Sequence, residues 1–166
     1  MNKRVIEFFG IGKMTEPFEP QIIAFCCNYC SYAAADLAGS IRMTYPPNIK
    51  IILVPCSGRV DPLHLIRALE AGADGVIITG CLEGDCHFET GNFKAKKRTL
   101  YVRHLLEEMG IEPDRVQMFN IAASDAPKFA QVARMVTERI RELGPGIGRP
   151  MENRQTPNKG ENHDCC

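Results

Sequence analysis

An α/β domain of about four parallel strands with flanking helices is what this sequence predicts. Three observations carry the prediction. Short, continuous apolar runs recur along the chain, helical patterns lie between them, and 166 residues suit one domain of about 100–150 residues with short tails.

The runs come first. Gln21–Phe25 reads QIIAF and leads into Cys26-Cys27, Ile49–Val54 reads IKIILV and ends at Pro55-Cys56, and Gly75–Thr79 reads GVIIT and ends at Gly80-Cys81. Val116–Ile121 reads VQMFNI and ends near Ala122-Ala123. Unbroken apolar stretches of this length suit strands covered on both faces, as in a parallel sheet.

The helices follow from periodicity and caps. Ser31 to about Met43 is rich in small residues, with Ser31 a suitable N-cap. Asp61-Pro62 marks a second start, because Asp accepts from the free N–H groups and Pro lacks the N–H that would be unpaired there. That helix places Leu65, Ile66 and Leu69 on one face and stops near Gly72. A third runs from about Lys94 to Met109 with Val102, Leu105, Leu106 and Met109 as its apolar stripe, and Gly110 ends it. A fourth runs from Ser124 or Asp125 to Leu143 on Phe129, Val132, Val136, Ile140 and Leu143, and Gly144-Pro145-Gly146 stops it.

The order β-α-β-α-β-loop-α-β-α implies parallel pairing with right-handed crossovers. It predicts a flavodoxin- or Rossmann-like three-layer domain over residues 18–144. Residues 1–17 form an N-terminal extension whose patch Val5–Phe9 suits packing on the domain or on another subunit. Residues 145–166 form a polar tail rich in Gly, Pro and Asn.

Twenty basic and 20 acidic residues give a formal charge of +0, which argues against nucleic-acid binding through a basic surface. No apolar run of about 18 residues suggests membrane insertion, and the N-terminal stretch lacks the apolar core of a secretory signal. A cytoplasmic protein is the expectation. Against it stand 8 cysteines. A secreted disulfide scaffold explains them poorly, because such chains lack the core that these apolar runs supply. Metal ligands in a reducing compartment explain them better.

Six of those cysteines fall just past three successive strands: Cys26, Cys27 and Cys30, then Cys56, then Cys81 and Cys86. Ligands of open parallel sheets bind at the carboxyl ends of the strands, so the three groups should converge. Four thiolates suit Zn²⁺ or an iron–sulfur cluster. One CxxC (Cys27–Cys30), a lone Cys56 and one CxxxxC (Cys81–Cys86) depart from the paired knuckles of a zinc ribbon. A two-iron cluster needs two thiolates on each iron, and the two close pairs supply them from opposite sides. Cys56 lies between, either as a replacement ligand or as a nearby free thiol. Successive strand residues point to opposite faces, so Cys26 reads as the packing residue. The candidates are Cys27, Cys30, Cys56, Cys81 and Cys86, one more than a cluster needs. Gly58, Gly80 and Gly84 permit close backbone approach or simple turns. Backbone N–H groups there can donate to sulfur and raise a reduction potential, and Asn28, Ser31 and Ser57 offer side-chain donors of the same kind.

The stretches FCCNYCSYAAADLAG, RMTYPPNIKIILVPCSGRVDP and GADGVIITGCLEGDCHFETGN resemble the iron–sulfur delta subunit of methyl-viologen-reducing hydrogenase. The likeness runs from about Pro17 to Pro145. It implies a [2Fe-2S] cluster, with the family motif falling on Cys26, Cys27, Cys30, Cys56, Cys81 and Cys86. It also implies a relay between a hydrogenase or formate dehydrogenase and the flavin subunit of heterodisulfide reductase, in an anaerobic electron-bifurcating complex. The residues themselves agree: no nucleophile–base pair or paired carboxylates demand catalysis, and no GxGxxG or GxxxxGK[ST] loop marks a nucleotide.

His87 reads as a neighbour of the thiols rather than a ligand, and Glu83 and Asp85 as solvated loop acids. Arg42 and Arg59 are candidates for pairing with partner carboxylates. Lys94, Lys96, Lys97 and Arg98 crowd a helix start, where the macrodipole disfavours cations. Tyr29, Tyr32, Phe88 and Phe93 suit shielding of a cluster, a partner surface or core packing. His163, Cys165 and Cys166 resemble a short metal-binding tract, but adjacent cysteines make poor structural ligands, and a disordered end is the expectation. Two rival readings stay open: a thiol–disulfide protein using Cys27–Cys30 or Cys81–Cys86, and a zinc-stapled interaction module.

Overall fold

A computed structural model of the chain describes residues 18–149. The expectations for the Val5–Phe9 patch and the Cys165-Cys166 tail fall outside them. The described residues form four strands and four α-helices in alternation: β1 (Ile22–Cys27), α1 (Ser31–Ser40), β2 (Ile49–Val54), α2 (Pro62–Glu70), β3 (Gly75–Gly80), α3 (Gly91–Glu108), β4 (Val116–Asn120) and α4 (Ala126–Leu143). All three strand pairs are parallel and the sheet order is β2-β1-β3-β4. The chain therefore reverses its direction of winding between β1 and β3, which opens a crevice at their carboxyl ends.

Alternation along β1 divides its side chains between two cores. Ile22, Ala24 and Cys26 pack with Ala34 and Ala38 of α1 and with Phe129, Val132, Val136 and Ile140 of α4. On the opposite face, Phe25 packs with Leu65 and Leu69 of α2 and with Ala95, Val102 and Leu106 of α3. This is the three-layer domain that the alternating pattern predicts.

Three local expectations need correction. β2 is not covered on both faces: it is an edge strand, and Ile52 and Leu53 remain 40 % and 48 % exposed. An apolar run reports β-propensity but not position in the sheet. Met109 is no part of the α3 stripe; it ends the helix and is 68 % exposed. The buried face there is Ala95, Thr99, Val102 and Leu106, and α3 begins at Gly91 instead of Lys94. α1 stops at Ser40, short of Met43, because Arg42 takes a left-handed φ of 57° and Met43 N–H turns back to Ala38 O at 2.8 Å.

Other caps agree with the sequence. Asp61 accepts from Leu63 N–H at 3.0 Å, and its own N–H donates to His64 Nδ1 at 3.1 Å. Asp125 accepts from Lys128 N–H at the start of α4. The carboxyl end of α4 is held by Arg115, which is buried and donates to the carbonyls of Asp74, Leu143, Gly144 and Pro145 while pairing with Glu112 at 2.9 Å. Five donors on one planar group can satisfy several carbonyls that the helix leaves open.

Candidate metal centre

Cys27 is the last residue of β1, Cys30 precedes α1, Cys56 lies just past β2, Cys81 directly follows β3 and Cys86 lies in the loop before α3. Their side chains form one buried cluster, each no more than 8 % exposed. The sulfurs of Cys27, Cys30 and Cys81 all lie within 4.8 Å of one another, with Cys27 and Cys81 3.9 Å apart. Cys56 and Cys86 belong to the same cluster, and the sulfurs of both press on the space beside Gly91. Cys26 is elsewhere: it is fully buried in the core against α1 and α4. No disulfide links the six cysteines among the described residues.

Alternation explains the division. Cys27 continues the face of Phe25, and at the strand end that face meets the loops after β2 and β3. Cys26 points to the other layer, where Ser31 and Thr79 neighbour it. Burial pushes the Cys26 thiol up to about 11, so it stays protonated as a small apolar group.

The clustered thiols have a different electrostatic setting. A hydrogen bond from Cys30, helped by the N–H groups of Tyr29 and Ser57, holds the Cys27 thiol well below its ordinary range against the opposing cost of burial. Cys30, the donor in that pair, is driven up by the same bond and by burial. Burial also raises Cys56 and Cys81. Cys86 is lowered: burial opposes this, but N–H groups of Asn92, Phe88 and Gly91 outweigh it. Gly91 and Asn92 begin α3, so the positive end of that helix faces Cys86. Gly58 N–H donates to Cys56 Sγ at 3.4 Å.

Glycines let these loops close on one another. A Cβ at Gly58 would stand 2.7 Å from the Gly91 backbone. One at Gly91 would overlap Cys56 Sγ and come within 3.2 Å of Cys86 Sγ. One at Gly80 would meet Ser57 Oγ at 2.7 Å. Gly84 is different: its surroundings are open and it has a φ of 93°, so its role is the turn.

Residues that the sequence reading passed over, or read otherwise, fasten the loops. The Asn92 amide donates to Leu82 O at 2.8 Å and to Cys81 O at 3.4 Å, and the Asn120 amide also donates to Cys81 O. Arg98, read as part of a basic cluster, spans from α3 to Gly58 O (2.8 Å) and Val60 O (3.0 Å). Of the same group, Lys96 pairs with Glu83 at 2.7 Å. The one available signal was Asn92 at a helix start, where Asn usually serves the backbone. Ser31, expected as the N-cap of α1, is instead its first, buried residue. Its Oγ accepts from Cys27 N–H at 3.0 Å and donates to Thr79 O at 2.9 Å.

Towards solvent, Tyr29 stacks on His87 with centroids 3.9 Å apart, and Phe88 meets both edge-on. The stack joins the Cys27–Cys30 loop to the Cys86 loop. A cleft of about 390 Å³ opens beside it onto Cys56, with Arg59, Phe88 and Lys94 in its walls. The donor set suits a soft metal or a cluster. Five converging thiols exceed what packing requires, and N–H donors already face the sulfurs of Cys27, Cys56 and Cys86.

Residues 22–144 match the family model described as methyl-viologen-reducing hydrogenase, delta subunit. The iron-sulfur subunit of an F420-non-reducing hydrogenase from Archaeoglobus profundus is 51 % identical over 132 residues, spanning 80 % of this chain and 96 % of the relative. The vhc iron-sulfur subunit of the F420-non-reducing hydrogenase from Methanococcus voltae is 46 % identical, spanning 80 % of this chain and 92 % of the relative. One subunit of a ferredoxin/F420H2-dependent CoB-CoM heterodisulfide reductase from Methanosarcina acetivorans is 42 % identical over 126 residues, 76 % of this chain but 16 % of that longer protein. With most of its length matched in both comparisons, the chain belongs to the methyl-viologen-reducing hydrogenase delta subunit family.

Proposed function

We propose that this chain is a non-catalytic electron-relay subunit that carries a [2Fe-2S] cluster in the cytoplasm. It relays between a hydrogenase or formate dehydrogenase and the flavin subunit of heterodisulfide reductase, within an anaerobic electron-bifurcating complex. The observation that carries the reading is the convergence of five buried thiols from three strand ends. Three features of the site fit a bound cluster: the all-sulfur donor set, the glycines whose Cβ atoms would fill its surroundings, and a buried Ser57 hydroxyl without a partner. The cluster would supply a one-electron couple.

Four of Cys27, Cys30, Cys56, Cys81 and Cys86 would hold it. The Cys27–Cys30–Cys81 triad would contribute part of the set and Cys56 or Cys86 the rest. The N–H groups that face Cys27, Cys56 and Cys86 are donors already aimed at sulfur before metal arrives. The Tyr29–His87–Phe88 stack limits water at the rim. Residues 18–144 would be the iron–sulfur domain, with 1–17 and 145–166 as extensions.

The relatives support the choice of partners. Several are named as hydrogenase iron-sulfur subunits. In two heterodisulfide reductase polypeptides the matching stretch occupies 16 % and 17 % of one longer chain. A unit fused into such a polypeptide in one organism is placed to work beside it as a separate chain in another. No helix among the described residues is long and apolar enough to cross a membrane.

A second reading rests on Cys27 and Cys30, a lowered thiol beside a raised one, as in a dithiol couple. Purification without oxygen separates the readings. The relay should contain about two irons and two sulfides per chain and accept one electron. Zinc in place of iron indicates a stapled module, and metal-free protein that turns over disulfides indicates the dithiol couple.

A further inference from the structure

Ser57 lies in the loop after β2, beside the thiol cluster. It follows Cys56, and its N–H faces the Cys27 sulfur. Its side chain is fully buried, yet its Oγ has no hydrogen-bond partner among the described residues. Ser57 Oγ occupies the space that a Gly80 Cβ would need, 2.7 Å from that position. Gly80 lies one step beyond the Cys26–Thr79 register pair, alongside Cys27. The hydroxyl is therefore on the Cys27 face of the sheet, at the mouth of the thiol cluster.

A buried hydroxyl with nothing to bond to is costly, and an orphan in a native protein calls for a missing partner. The other side-chain donors suggested by the sequence do not fill this role. Asn28 is exposed, and the single Ser31 proton is given to Thr79 O. Neither Gly80 nor Met118, which border the same space, offers the hydroxyl a side-chain acceptor of oxygen or nitrogen, and the flanking Cys56 and the facing Cys27 belong to the thiol cluster.

We propose that Ser57 Oγ–H donates to a sulfur of the bound cluster, at the Cys27 end, and sets its reduction potential. This rests on the relay reading above. A donor to sulfur favours the more negative, reduced state. Losing it should shift the reduced-to-oxidised ratio at fixed potential about tenfold toward oxidised, a fall of about 59 mV for a one-electron couple.

The test is Ser57→Ala in the full chain, purified without oxygen beside the wild type. Iron and sulfide come first, because wild-type protein without them removes the relay reading and this inference together. With both proteins loaded, a lower midpoint in the variant is the expected result. An unchanged or higher midpoint overturns the role of Ser57 while leaving the relay intact. Urea unfolding of the metal-free forms gives a second readout that needs no cluster in the variant. Removing an orphan hydroxyl should raise the unfolding midpoint of the metal-free variant. A midpoint that stays or falls means that the hydroxyl is already satisfied by protein, which overturns the proposal.

Discussion

Gly91→Ala sets two effects of opposite sign against each other. Gly91 is the first residue of α3 and is buried. Exchanging Gly for Ala in a helix ordinarily stabilises by up to about 1 kcal/mol, because Ala loses less backbone freedom on folding. Here the new methyl would overlap Cys56 Sγ and come within 3.2 Å of Cys86 Sγ. Overpacking of this kind costs about 1–3 kcal/mol, so the variant should lose up to about 2 kcal/mol. Cys56 would have to retreat by about 1 Å or more to regain ordinary contact, well beyond the roughly 0.2 Å that metal–ligand distances tolerate. Gly39→Ala is the control: it lies in α1, and its added methyl meets nothing within 4 Å. It should gain a few tenths to about 1 kcal/mol by relief of the same entropy. Urea unfolding of the metal-free chains and iron content after loading report both effects. A Gly91→Ala protein that loads iron fully and matches the gain of Gly39→Ala would refute the close packing of the Cys56 and Cys86 loops.

Four other perturbations probe separate parts of the account. Cys26→Ala should keep its iron while losing about 1 kcal/mol from the α1–α4 core, whereas alanine at both Cys27 and Cys81, which leaves three thiols, should abolish loading; iron analysis with urea unfolding compares them. Arg115→Met leaves four carbonyls and Glu112 without their donor and should cost about 3 kcal/mol or more in chemical unfolding. Arg115→Lys should recover little, because an ammonium cannot span the same set of acceptors. Hydrogen bonds from Arg139 and Arg103 hold the Asp114 carboxyl below its ordinary range. Its folded pKa is depressed, so its contribution is complete above the unfolded value of about 3.9 and is lost as pH falls below that. Asp114→Asn should flatten the acid limb of a stability-against-pH curve; an unaltered limb contradicts the pairing. Tyr29→Ala removes one ring of the stack over the thiols and should speed bleaching of the visible absorbance in air.

The fold was largely legible because its signals are local. Asp61-Pro62 and Asp125 cap helices through their own side chains, and GVIIT becomes the fully buried strand β3. Strand alternation also separates Cys26 from Cys27 without coordinates, since one step along β1 changes the layer. What was hidden depends on neighbours distant in sequence. IKIILV is as apolar as a central strand, and only the sheet order makes it an edge. Arg98 looked like a surface cation, while its true partners are carbonyls 40 and 38 residues away, beyond β3 and α2. Ser31 had the residue type of a cap, but burial against Thr79 gives it another task. The partition of the thiols into a triad and a pair, and the isolation of the Ser57 hydroxyl, require three loops to be seen together.

Diffraction from anaerobically grown crystals at the iron absorption edge addresses the central claim most directly. The account expects two iron peaks inside the basket of Cys27, Cys30, Cys56, Cys81 and Cys86, bonded to four of the five sulfurs. Anomalous signal at the zinc edge alone, or sulfur–sulfur bonds around a metal-free centre, would contradict it.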